Sequence, residues 1–534
     1  MAKPTVDYSL YLVTGRDLLP PGKDYLQSLE ESIQGGVTVT QVREKHADTG
    51  EFLQIAQESL KICRKYSIPL IINDRIDIAL AIGADGVHLG QTDMPIATAR
   101  SLLPSHTIIG VSCNTPDHVK KAIHDGADYV GIGAVWGTTT KDVSGKILGV
   151  RRVGELLSIL DGSGVKAVAI GGIKSTNLLR TLHGSVSTKD HTLDGVAVVS
   201  DIVASTTPLI ASERLTTIVR AFKHSIASPS EPLKHIFSSP GSPYDAQSIV
   251  SGAAILLDTI KKHNPLIHQI TNTVVTTQSA NATLALGASP IMATSPEEME
   301  DLEKVTGSLL VNFGTITDKQ GMLLAGHYAN LNQKPVVFDP VGVGATAYRR
   351  TTANELLNRW QPTIIKGNAA EIGSIANSVE VQAKGVDSTG SGFKDPISVV
   401  RELAKKERCI IILTGVTDYI SNGSVVLALR NGHSLLGRIT GSGCMLGTCV
   451  ATFAAAARLY SLDIGDGNDT GALVTGDMLL GAVGGVLALT VASEIAAARA
   501  DVKGSGTFLP ALIDELGNLT PDVIERRAKV EVVG

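Results

Sequence analysis

The sequence predicts an α/β protein in which a closed TIM (β/α)8 barrel is followed by an open, layered α/β domain. Eight short apolar runs of β-forming residues occur in the first two hundred or so residues, with helix-compatible stretches between them. Strand alternating with helix predicts a parallel sheet, and eight such units close a barrel. The runs are Ser9–Thr14, Val37–Glu44, Pro69–Asp74, Gly86–Gly90, Thr107–Cys113, Tyr129–Trp136, Lys166–Ile173 and Gly195–Ile202.

A stretch rich in serine and proline marks the end of the barrel. Pro208–Lys223 is typical of a final barrel helix, and residues 225–245 then lack apolar periodicity. Such a composition indicates a linker. We therefore predict a barrel over residues 1–224, a linker over 225–245 and a second domain over 246–534. Leu182–Leu193 is interpreted as a surface insertion between the last two barrel strands.

The second half has longer helices between its strand-like runs, and two Ala-rich stretches, Leu446–Leu459 and Leu473–Ala498, follow the strands. This pattern predicts an open α/β layered domain and not a second barrel. The strand-like runs are Leu309–Phe313, Val336–Phe338, Thr363–Ile365, Ile410–Leu413 and Ser424–Leu429.

The bulk composition excludes several classes of function. A net charge of −5 and an aromatic content of 4% argue against a nucleic-acid partner. The five cysteines form no C-x-x-C pair, which argues against structural zinc and disulfides. The first seven residues lack the basic-then-apolar pattern of a signal peptide, and Met478–Ser493 is shorter than the roughly 20 apolar residues that span a membrane. We expect a cytoplasmic enzyme that acts on small molecules and does not bind a membrane.

Active sites of such barrels lie where the strands end, and the second strand ends in Gln41-Val-Arg-Glu-Lys45. Because side chains alternate along a strand, Gln41, Arg43 and Lys45 share one face. One amide and two cations pointing together favour a pocket for a multiply charged anion. A solvated surface charge run is the alternative.

Two aspartates follow neighbouring strands. Asp74 ends the third run, and Asp93 lies in the loop after the fourth. Two carboxylates beside a cationic pocket indicate Mg²⁺, which keeps several waters and shares substrate oxygens. The alternative is that one aspartate caps a helix and the other pairs with Arg75.

The later strands end in residues suited to phosphate. Thr138-Thr-Thr-Lys141 follows the sixth strand, while Ala169–Ile173 and Val198–Ser200 end the last two, the usual phosphate position of this barrel. No histidine, cysteine or paired acid and base stands out. This fits ionisation of a diphosphate leaving group, which depends on stabilising charge.

Together these motifs, with Asn73-Asp74-Arg75 and His88-Leu-Gly-Gln-Thr-Asp93, resemble thiamine-phosphate synthase over residues 1 to about 222. The resemblance implies that Mg²⁺ on Asp74 and Asp93 helps pyrophosphate leave an aminopyrimidine diphosphate before a thiazole nitrogen attacks. This sequence has Gly137 at the position before the threonines where many members of the family have proline. The resemblance also assigns Gln41, Arg43, Lys45, Asn73, Ser112 and Lys141 to the pyrimidine diphosphate, and Thr138, Thr140, Gly171, Val199 and Ser200 to thiazole phosphate.

In the second half, Ile439-Thr-Gly-Ser-Gly-Cys444 precedes an Ala-rich helix. Glycines at a helix N-terminus expose N–H groups to an anion, and a cysteine there is expected to have a lowered pKa. A buried structural cysteine is the alternative. Asp339 and Glu371 could bind Mg²⁺ or the water molecules around the ion and the phosphates, or either could cap a helix.

These motifs, with Lys366-Gly-Asn, Thr414-Gly, Ile270-Thr-Asn272 and Met292, resemble hydroxyethylthiazole kinase, a ribokinase-like enzyme, over residues of about 246 to 530. The resemblance implies phosphoryl transfer from ATP to the thiazole alcohol, and trimers with sites between subunits. The resemblance makes Cys444 the catalytic residue: it stands where many ribokinase-like enzymes carry an aspartate base, while thiazole kinases carry cysteine. Two roles are open for it, a weak base or mainly an element of the anion-binding site. The resemblance assigns Lys366 and Thr414 to ATP, and Asn272, Met292 and Gly441 to the thiazole.

The chain thus resembles a fungal-type fusion for thiamine biosynthesis, with the kinase supplying the barrel's second substrate. One alternative joins a phosphate-binding barrel isomerase to a sugar or vitamin kinase, but such isomerases usually need a central carboxylate or lysine base. In another alternative, one half is a non-catalytic scaffold, which loss of Asp74, Asp93, Lys141 or the Gly441–Cys444 run would have favoured.

Overall fold

The computed structural model describes residues 3, 5–138, 147–227, 245–378, 382–384, 387–389, 392–465 and 471–534, with side chains described outside 226–227 and 379–391. It divides into two compact units, Met1–Ser228 and Pro229–Gly534. The division falls within the predicted linker, and residues 228–244 lie outside the described residues.

Eight parallel strands close into a barrel in the first unit, as the sequence predicts. Each strand pairs with its successor, and β1 also pairs with β8 to complete the ring. The strands are β1 (Leu10–Val13), β2 (Val39–Val42), β3 (Leu70–Asn73), β4 (Gly86–Leu89), β5 (Ile108–Cys113), β6 (Tyr129–Gly133), β7 (Lys166–Ile170) and β8 (Gly195–Val198).

Helices follow the strands and surround the barrel, with apolar side chains packed between the two layers. A separate apolar cluster that includes Tyr11, Ile71 and Tyr129 fills the barrel interior. The helices are α1 (Tyr25–Gln34), α2 (Thr49–Lys65), α3 (Ile76–Ile82), α4 (Ile96–Leu102), α5 (Pro116–His124), α6 (Gly149–Leu160), α7 (Leu178–Gly184), α8 (Ser200–Val203) and α9 (Pro208–Ala227).

All eight predicted runs contain a strand, but most of the strands end earlier than the runs do. The sixth run extends to Trp136, for example, while β6 ends at Gly133. The residues beyond each strand form the loops of the barrel's C-terminal face. The predicted insertion also begins later than expected, because α7 continues to Gly184 before the loop to β8.

The second unit contains a nine-stranded mixed sheet in the order β10-β9-β11-β12-β13-β16-β17-β18-β19. The strands from β10 to β16 in this order are parallel, and the remaining neighbours are antiparallel. The strands are β9 (Leu266–Ile270), β10 (Ser289–Ile291), β11 (Ser308–Asn312), β12 (Val336–Asp339), β13 (Ile364–Asn368), a separate hairpin of β14 (Gln382–Lys384) and β15 (Asp387–Thr389), β16 (Ile410–Thr414), β17 (Asp418–Ser421), β18 (Val426–Leu429) and β19 (Val530–Val532).

Helices cover both faces of this sheet, which confirms the layered α/β domain. One apolar cluster joins the sheet to α10 and α17–α19, and another joins its other face to α13–α16. The helices are α10 (Ala246–His263), α11 (Thr276–Ala285), α12 (Met299–Val305), α13 (Lys319–Leu331), α14 (Ala347–Arg359), α15 (Ala369–Ala376), α16 (Pro396–Glu407), α17 (Ser442–Asp463), α18 (Met478–Ala498), α19 (Ser505–Gly517) and α20 (Pro521–Arg527).

Two of these helices, α17 and α18, are long and apolar enough to cross a membrane. The charge-free run Met478–Ser493 forms only part of α18, which has 21 residues. The length of α18 therefore does not distinguish this helix from a membrane-spanning one. Burial does: the most apolar windows of α17 and α18 are 78% and 89% buried within the protein. Both helices therefore form the core of the second unit.

Candidate active sites in the two units

Asp74 and Asp93 lie together at the C-terminal face of the barrel. Burial raises the pKa of Asp93, and the neighbouring Asp74 carboxyl group raises it further. The Lys45 ammonium forms an ion pair with Asp74, and the Gly90 N–H donates to Asp93 at 2.7 Å. Asp74 also has a left-handed backbone with φ of 60°, a strained conformation that is common at functional sites.

The alternative assignment of these aspartates is wrong. Arg75 pairs with Asp77 instead of Asp74, and no side chain caps α3 or α4, the helices that follow the two aspartates. No group of three or more His, Cys, Asp and Glu side chains that could hold a metal occurs among the described residues. Two adjacent carboxylates nevertheless fit Mg²⁺, because that ion commonly binds one or two carboxylates and completes its shell with water and phosphate oxygens.

The predicted pyrimidine pocket combines buried and accessible side chains. Gln41 is 4% exposed, and its amide donates to the Tyr11 hydroxyl inside the barrel. Asn73 is also buried at the end of β3, whereas Arg43 is half-buried and Lys45 is exposed. Gln41 thus faces the barrel interior, and the two cations lie farther out along the same segment.

Ser112 is half-buried at the C-terminal end of β5 and is bonded to the imidazole of His88 at 2.9 Å. This histidine was not predicted as a site residue from the sequence. Neither were Tyr11 and Tyr129, which complete the same buried polar group. His88 begins the motif that ends at Asp93, but nothing in a single sequence shows that its ring points into the barrel.

The loops after β6, β7 and β8 contain the predicted thiazole-phosphate residues. Gly171 has φ of 100°, and a Cβ there would lie 2.6 Å from Ala134, so glycine permits the close approach of the two loops. Val199 and Ser200 form the start of the short helix α8. Thr138 is half-buried, whereas Thr140 and Lys141 lie outside the described residues.

In the second unit, polar side chains end successive parallel strands along one edge of the sheet. Asn312 ends β11 and Asp339 ends β12, and they are joined by a 2.8 Å hydrogen bond. The Asn272 amide, from the loop after β9, donates to Asn312 at 2.8 Å. Asn312 was missed in the sequence, although it is the one amide side chain in an otherwise apolar predicted strand.

Lys366 joins this edge to the start of α17. Its ammonium donates to Asp339 at 3.0 Å and to the Gly443 carbonyl at 2.9 Å, and both side chains are almost fully buried. Burial lowers the pKa of Lys366, but the neighbouring Asp339, Glu371 and Cys444 outweigh it and hold the pKa above its usual range. The Lys366 ammonium thus places a buried positive charge between the Asp339 carboxylate and the start of α17.

Cys444 lies in the first turn of α17, with its sulfur 3.4 Å from the Asn272 amide. The expectation of a lowered pKa is wrong. Burial and the nearby Asp339 carboxylate raise the pKa of the thiol, and these effects outweigh Lys366 and the asparagine amides. The sequence showed the helix N-terminus but could not show that an acidic side chain from β12 lies beside it.

Gly441 is the N-cap of α17 and has φ of 80°. A Cβ at this position would lie 2.1 Å from Val275 and 3.0 Å from Gln278. Glycine is therefore required both by the left-handed turn and by the close packing of the loop against the segment that follows Asn272.

Glu371 caps a helix, which was the alternative to a role at Mg²⁺: it forms a capping box with Asn368 at the start of α15. Its other oxygen accepts the Gly342 N–H at 3.0 Å. Burial raises the pKa of Glu371 to about 7. Both oxygens of Asp339 and both oxygens of Glu371 already accept hydrogen bonds from protein groups. Either carboxylate would therefore contact a metal ion through a bridging water molecule.

Thr414 ends β16 and is the register partner of Asn368, which places it along the same edge as Lys366. The following turn is held by Asp418, which accepts the Gly415 N–H at 2.9 Å. Met292 is half-buried after β10, the strand next to β9. Its contact with the thiazole stays a prediction.

Family models match both units. A model described as "Thiamine monophosphate synthase" matches residues 10–202. A model described as "Hydroxyethylthiazole kinase family" matches residues 257–522.

Full-length relatives combine the two parts in one chain. A "Probable thiamine biosynthetic bifunctional enzyme" of Schizosaccharomyces pombe is 38% identical over 99% of this chain and 99% of its own. A "Thiamine biosynthetic bifunctional enzyme" of Saccharomyces cerevisiae is 35% identical over 97% of this chain and 96% of its own.

Solved structures match each part separately. A hydroxyethylthiazole kinase protein from Pyrococcus horikoshii is 32% identical, with a TM-score of 0.45, over 53% of this chain and 99% of its own. A thiamine phosphate pyrophosphorylase from Pyrococcus furiosus is 33% identical, with a TM-score of 0.35, over 40% of this chain and 96% of its own. On the family models and the full-length relatives, the chain belongs to the family of thiamine biosynthetic bifunctional enzymes and joins a thiamine monophosphate synthase domain to a hydroxyethylthiazole kinase domain.

Proposed function

We propose that the chain catalyses two consecutive reactions. The kinase domain transfers the γ-phosphoryl group of ATP to 4-methyl-5-(2-hydroxyethyl)thiazole. The barrel then joins the resulting thiazole phosphate to 4-amino-2-methyl-5-hydroxymethylpyrimidine diphosphate, which yields thiamine phosphate and pyrophosphate. The observation that carries the proposal is that one chain contains both a hydroxyethylthiazole kinase domain and a thiamine monophosphate synthase domain. The thiazole phosphate that the first would form is a substrate of the reaction proposed for the second.

In the barrel, the bond between the pyrimidine methylene carbon and the diphosphate oxygen breaks, and its electron pair leaves with pyrophosphate. The thiazole nitrogen then attacks the methylene cation and forms the new C–N bond. Arg43 and Lys45 bind the diphosphate, while Gly171 and Ser200 bind the thiazole phosphate. Mg²⁺ held by Asp74 and Asp93 would supply positive charge that stabilises the departing pyrophosphate.

In the kinase domain, the thiazole hydroxyl oxygen attacks the γ-phosphorus and gives up its proton to a base, for which Cys444 as a thiolate is the candidate. The bond between the γ-phosphorus and the bridging oxygen breaks, and ADP leaves with its electron pair. Lys366 and Thr414 bind ATP, while N–H groups at the start of α17 face the transferred phosphoryl group. Positioning and charge account for most of phosphoryl-transfer catalysis. Lys366 supports this role, since it holds a buried positive charge beside the N-terminus of α17.

We also propose a homo-oligomer built on trimers of the kinase domain, working in the cytoplasm. Two exposed apolar side chains near the kinase site support association. Val274, two residues after Asn272, is 64% exposed, and Val416 in the turn after Thr414 is fully exposed. A neighbouring subunit would cover such side chains and complete the substrate pocket.

Omission of single components tests the two reactions together. With thiazole alcohol, ATP, Mg²⁺ and pyrimidine diphosphate, the full chain is expected to form thiamine phosphate, and omission of any component should stop it. Thiazole phosphate should replace the alcohol and ATP together. Synthesis from the alcohol without ATP, or no synthesis from thiazole phosphate, would contradict the order of the two reactions.

Cys444→Asp tests whether a base at this position limits the kinase. A thiol with a raised pKa is mostly protonated at neutral pH. Burial and Asp339 would also raise the pKa of an aspartate here, but from an ordinary value of about 4 instead of about 8.5, so the aspartate reaches its charged form at lower pH than the thiol does. We expect the variant to keep or raise kcat, with the acid limb of the pH profile moved to lower pH. Cys444→Ser is the matched control because a serine hydroxyl does not titrate in this range. A well-folded but inactive Cys444→Asp enzyme would count against the base role.

A further inference from the structure

A continuous chain of hydrogen bonds crosses the barrel interior and joins two predicted pyrimidine-diphosphate residues. The Gln41 amide donates to the Tyr11 hydroxyl at 2.8 Å, and the Tyr11 and Tyr129 hydroxyls are 2.7 Å apart. Tyr129 then contacts Nδ1 of His88 at 2.9 Å, and Nε2 of His88 contacts the Ser112 hydroxyl at 2.9 Å. We call these five residues the interior chain.

The barrel strands leave room for this chain. A Cβ at Gly110 would lie 2.0 Å from the Tyr129 ring, and one at Gly131 would lie 3.2 Å from the His88 ring. Gly110 is the register partner of Tyr129, and Gly131 is that of Ser112. Two glycines on neighbouring strands thus make space where the polar rings cross, so the rings are accommodated by the backbone of β5 and β6.

The donors and acceptors give the chain a direction. An amide NH₂ can only donate, so the single Tyr11 hydroxyl proton is directed to Tyr129. Tyr129 in turn donates to Nδ1 of His88, which leaves the proton of the neutral imidazole on Nε2. Nε2–H donates to Ser112, whose own hydroxyl proton is then directed away from the histidine.

We propose that the interior chain orients the Ser112 hydroxyl as a donor to the pyrimidine diphosphate, with Tyr11, Tyr129 and His88 as positioning residues. The inference rests on the proposed coupling reaction and deepens it. Ser112 is half-buried at the rim, so its proton can reach a substrate oxygen while its oxygen stays fixed by His88. Donors fixed before the substrate arrives stabilise a developing negative charge without reorganisation.

Tyr129→Phe interrupts the chain at its centre and keeps the ring. His88 then loses the donor that fixes its tautomer, and Ser112 can turn its proton toward the histidine. We expect kcat/KM for the coupling reaction to fall about 10-fold, the size expected for one misdirected hydrogen bond, while kinase activity is unchanged. Tyr8→Phe is the matched control, because the Tyr8 ring lies 5.0 Å from that of Tyr129 but its hydroxyl is outside the interior chain.

Two further measurements separate positioning from general loss of packing. Tyr129→Phe combined with Ser112→Ala should be no slower than Ser112→Ala alone, since Tyr129 acts through Ser112. In ¹⁵N-histidine-labelled protein, His88 should be the Nε2–H tautomer in the wild type and lose that preference in Tyr129→Phe. Its signals are identified by their loss in His88→Asn.

The outcomes are distinguishable from failure of the proposed function. A wild-type chain that forms no thiamine phosphate from both phosphorylated substrates would overturn the coupling reaction itself. If coupling is present but Tyr129→Phe equals Tyr8→Phe, the positioning role is wrong. An Nδ1–H tautomer of His88 in the wild type would show the reverse direction, with Ser112 donating to the histidine, and would overturn the inference.

Discussion

Asp93→Ala is expected to abolish thiamine phosphate formation while thiazole phosphorylation continues at the wild-type rate. Asp93 lies beside Asp74, so removing its carboxylate leaves one acidic ligand where two adjacent ones fit Mg²⁺. Without that charge, pyrophosphate departure loses its main electrostatic stabilisation, and a loss of at least about 1000-fold, or 4 kcal/mol, is reasonable. The kinase residues belong to the other unit and are unaffected.

Both reactions are measured in the same preparation, with thiazole phosphate supplied for the coupling assay. Asp77→Ala is the matched control, since Asp77 is an exposed carboxylate near the same face whose ion-pair partner among the described residues is Arg75. It should retain both activities. Loss of both activities in Asp93→Ala would contradict two independent sites, and retained coupling would contradict the metal site.

The barrel was predictable because each of its strands is a local apolar run. The second unit was less predictable, since β9, β10, β14, β15, β17 and β19 were not predicted as strands. His268 and Gln269 interrupt the apolar pattern of β9. Both are buried, and the folded domain supplies hydrogen-bond partners for them, Glu303 for His268 and Thr283 for Gln269. β19 is a short C-terminal segment that becomes a strand by pairing with β18, about a hundred residues earlier in the chain.

The site residues likewise divide into those that the sequence predicts and those that only the folded structure shows. Asp74, Asp93, Asp339 and Lys366 follow local strand signals, so the sequence indicates their place on an edge. The interior chain was missed because its links join residues far apart, such as Tyr11 and Tyr129 at a separation of 118 positions. The pKa direction of Cys444 failed for the same reason, as burial and Asp339 depend on the folded sheet.

Lys366→Met is expected to abolish kinase activity and to destabilise the kinase domain by about 3–5 kcal/mol. The variant leaves the buried Asp339 carboxylate without its cation, and breaking a buried ion pair by removing one partner has a cost of this size. Urea unfolding measures the effect through the fluorescence of the buried Trp360. A Trp136→Phe background removes the other tryptophan, which lies in the barrel unit.

The double variant Asp339→Asn/Lys366→Met separates the structural role of the pair from its chemical role. A neutral amide needs no cation, so most of the lost stability should return, because replacing both partners of a buried pair is often close to neutral. Kinase activity should stay absent, since no ammonium remains beside Gly443 to bind ATP. Lys319→Met is the control, as it breaks an exposed pair with Glu355, which should change stability by at most about 1 kcal/mol. Recovery of kinase activity in the double variant would show that Lys366 only neutralises Asp339 and has no part in binding the phosphates.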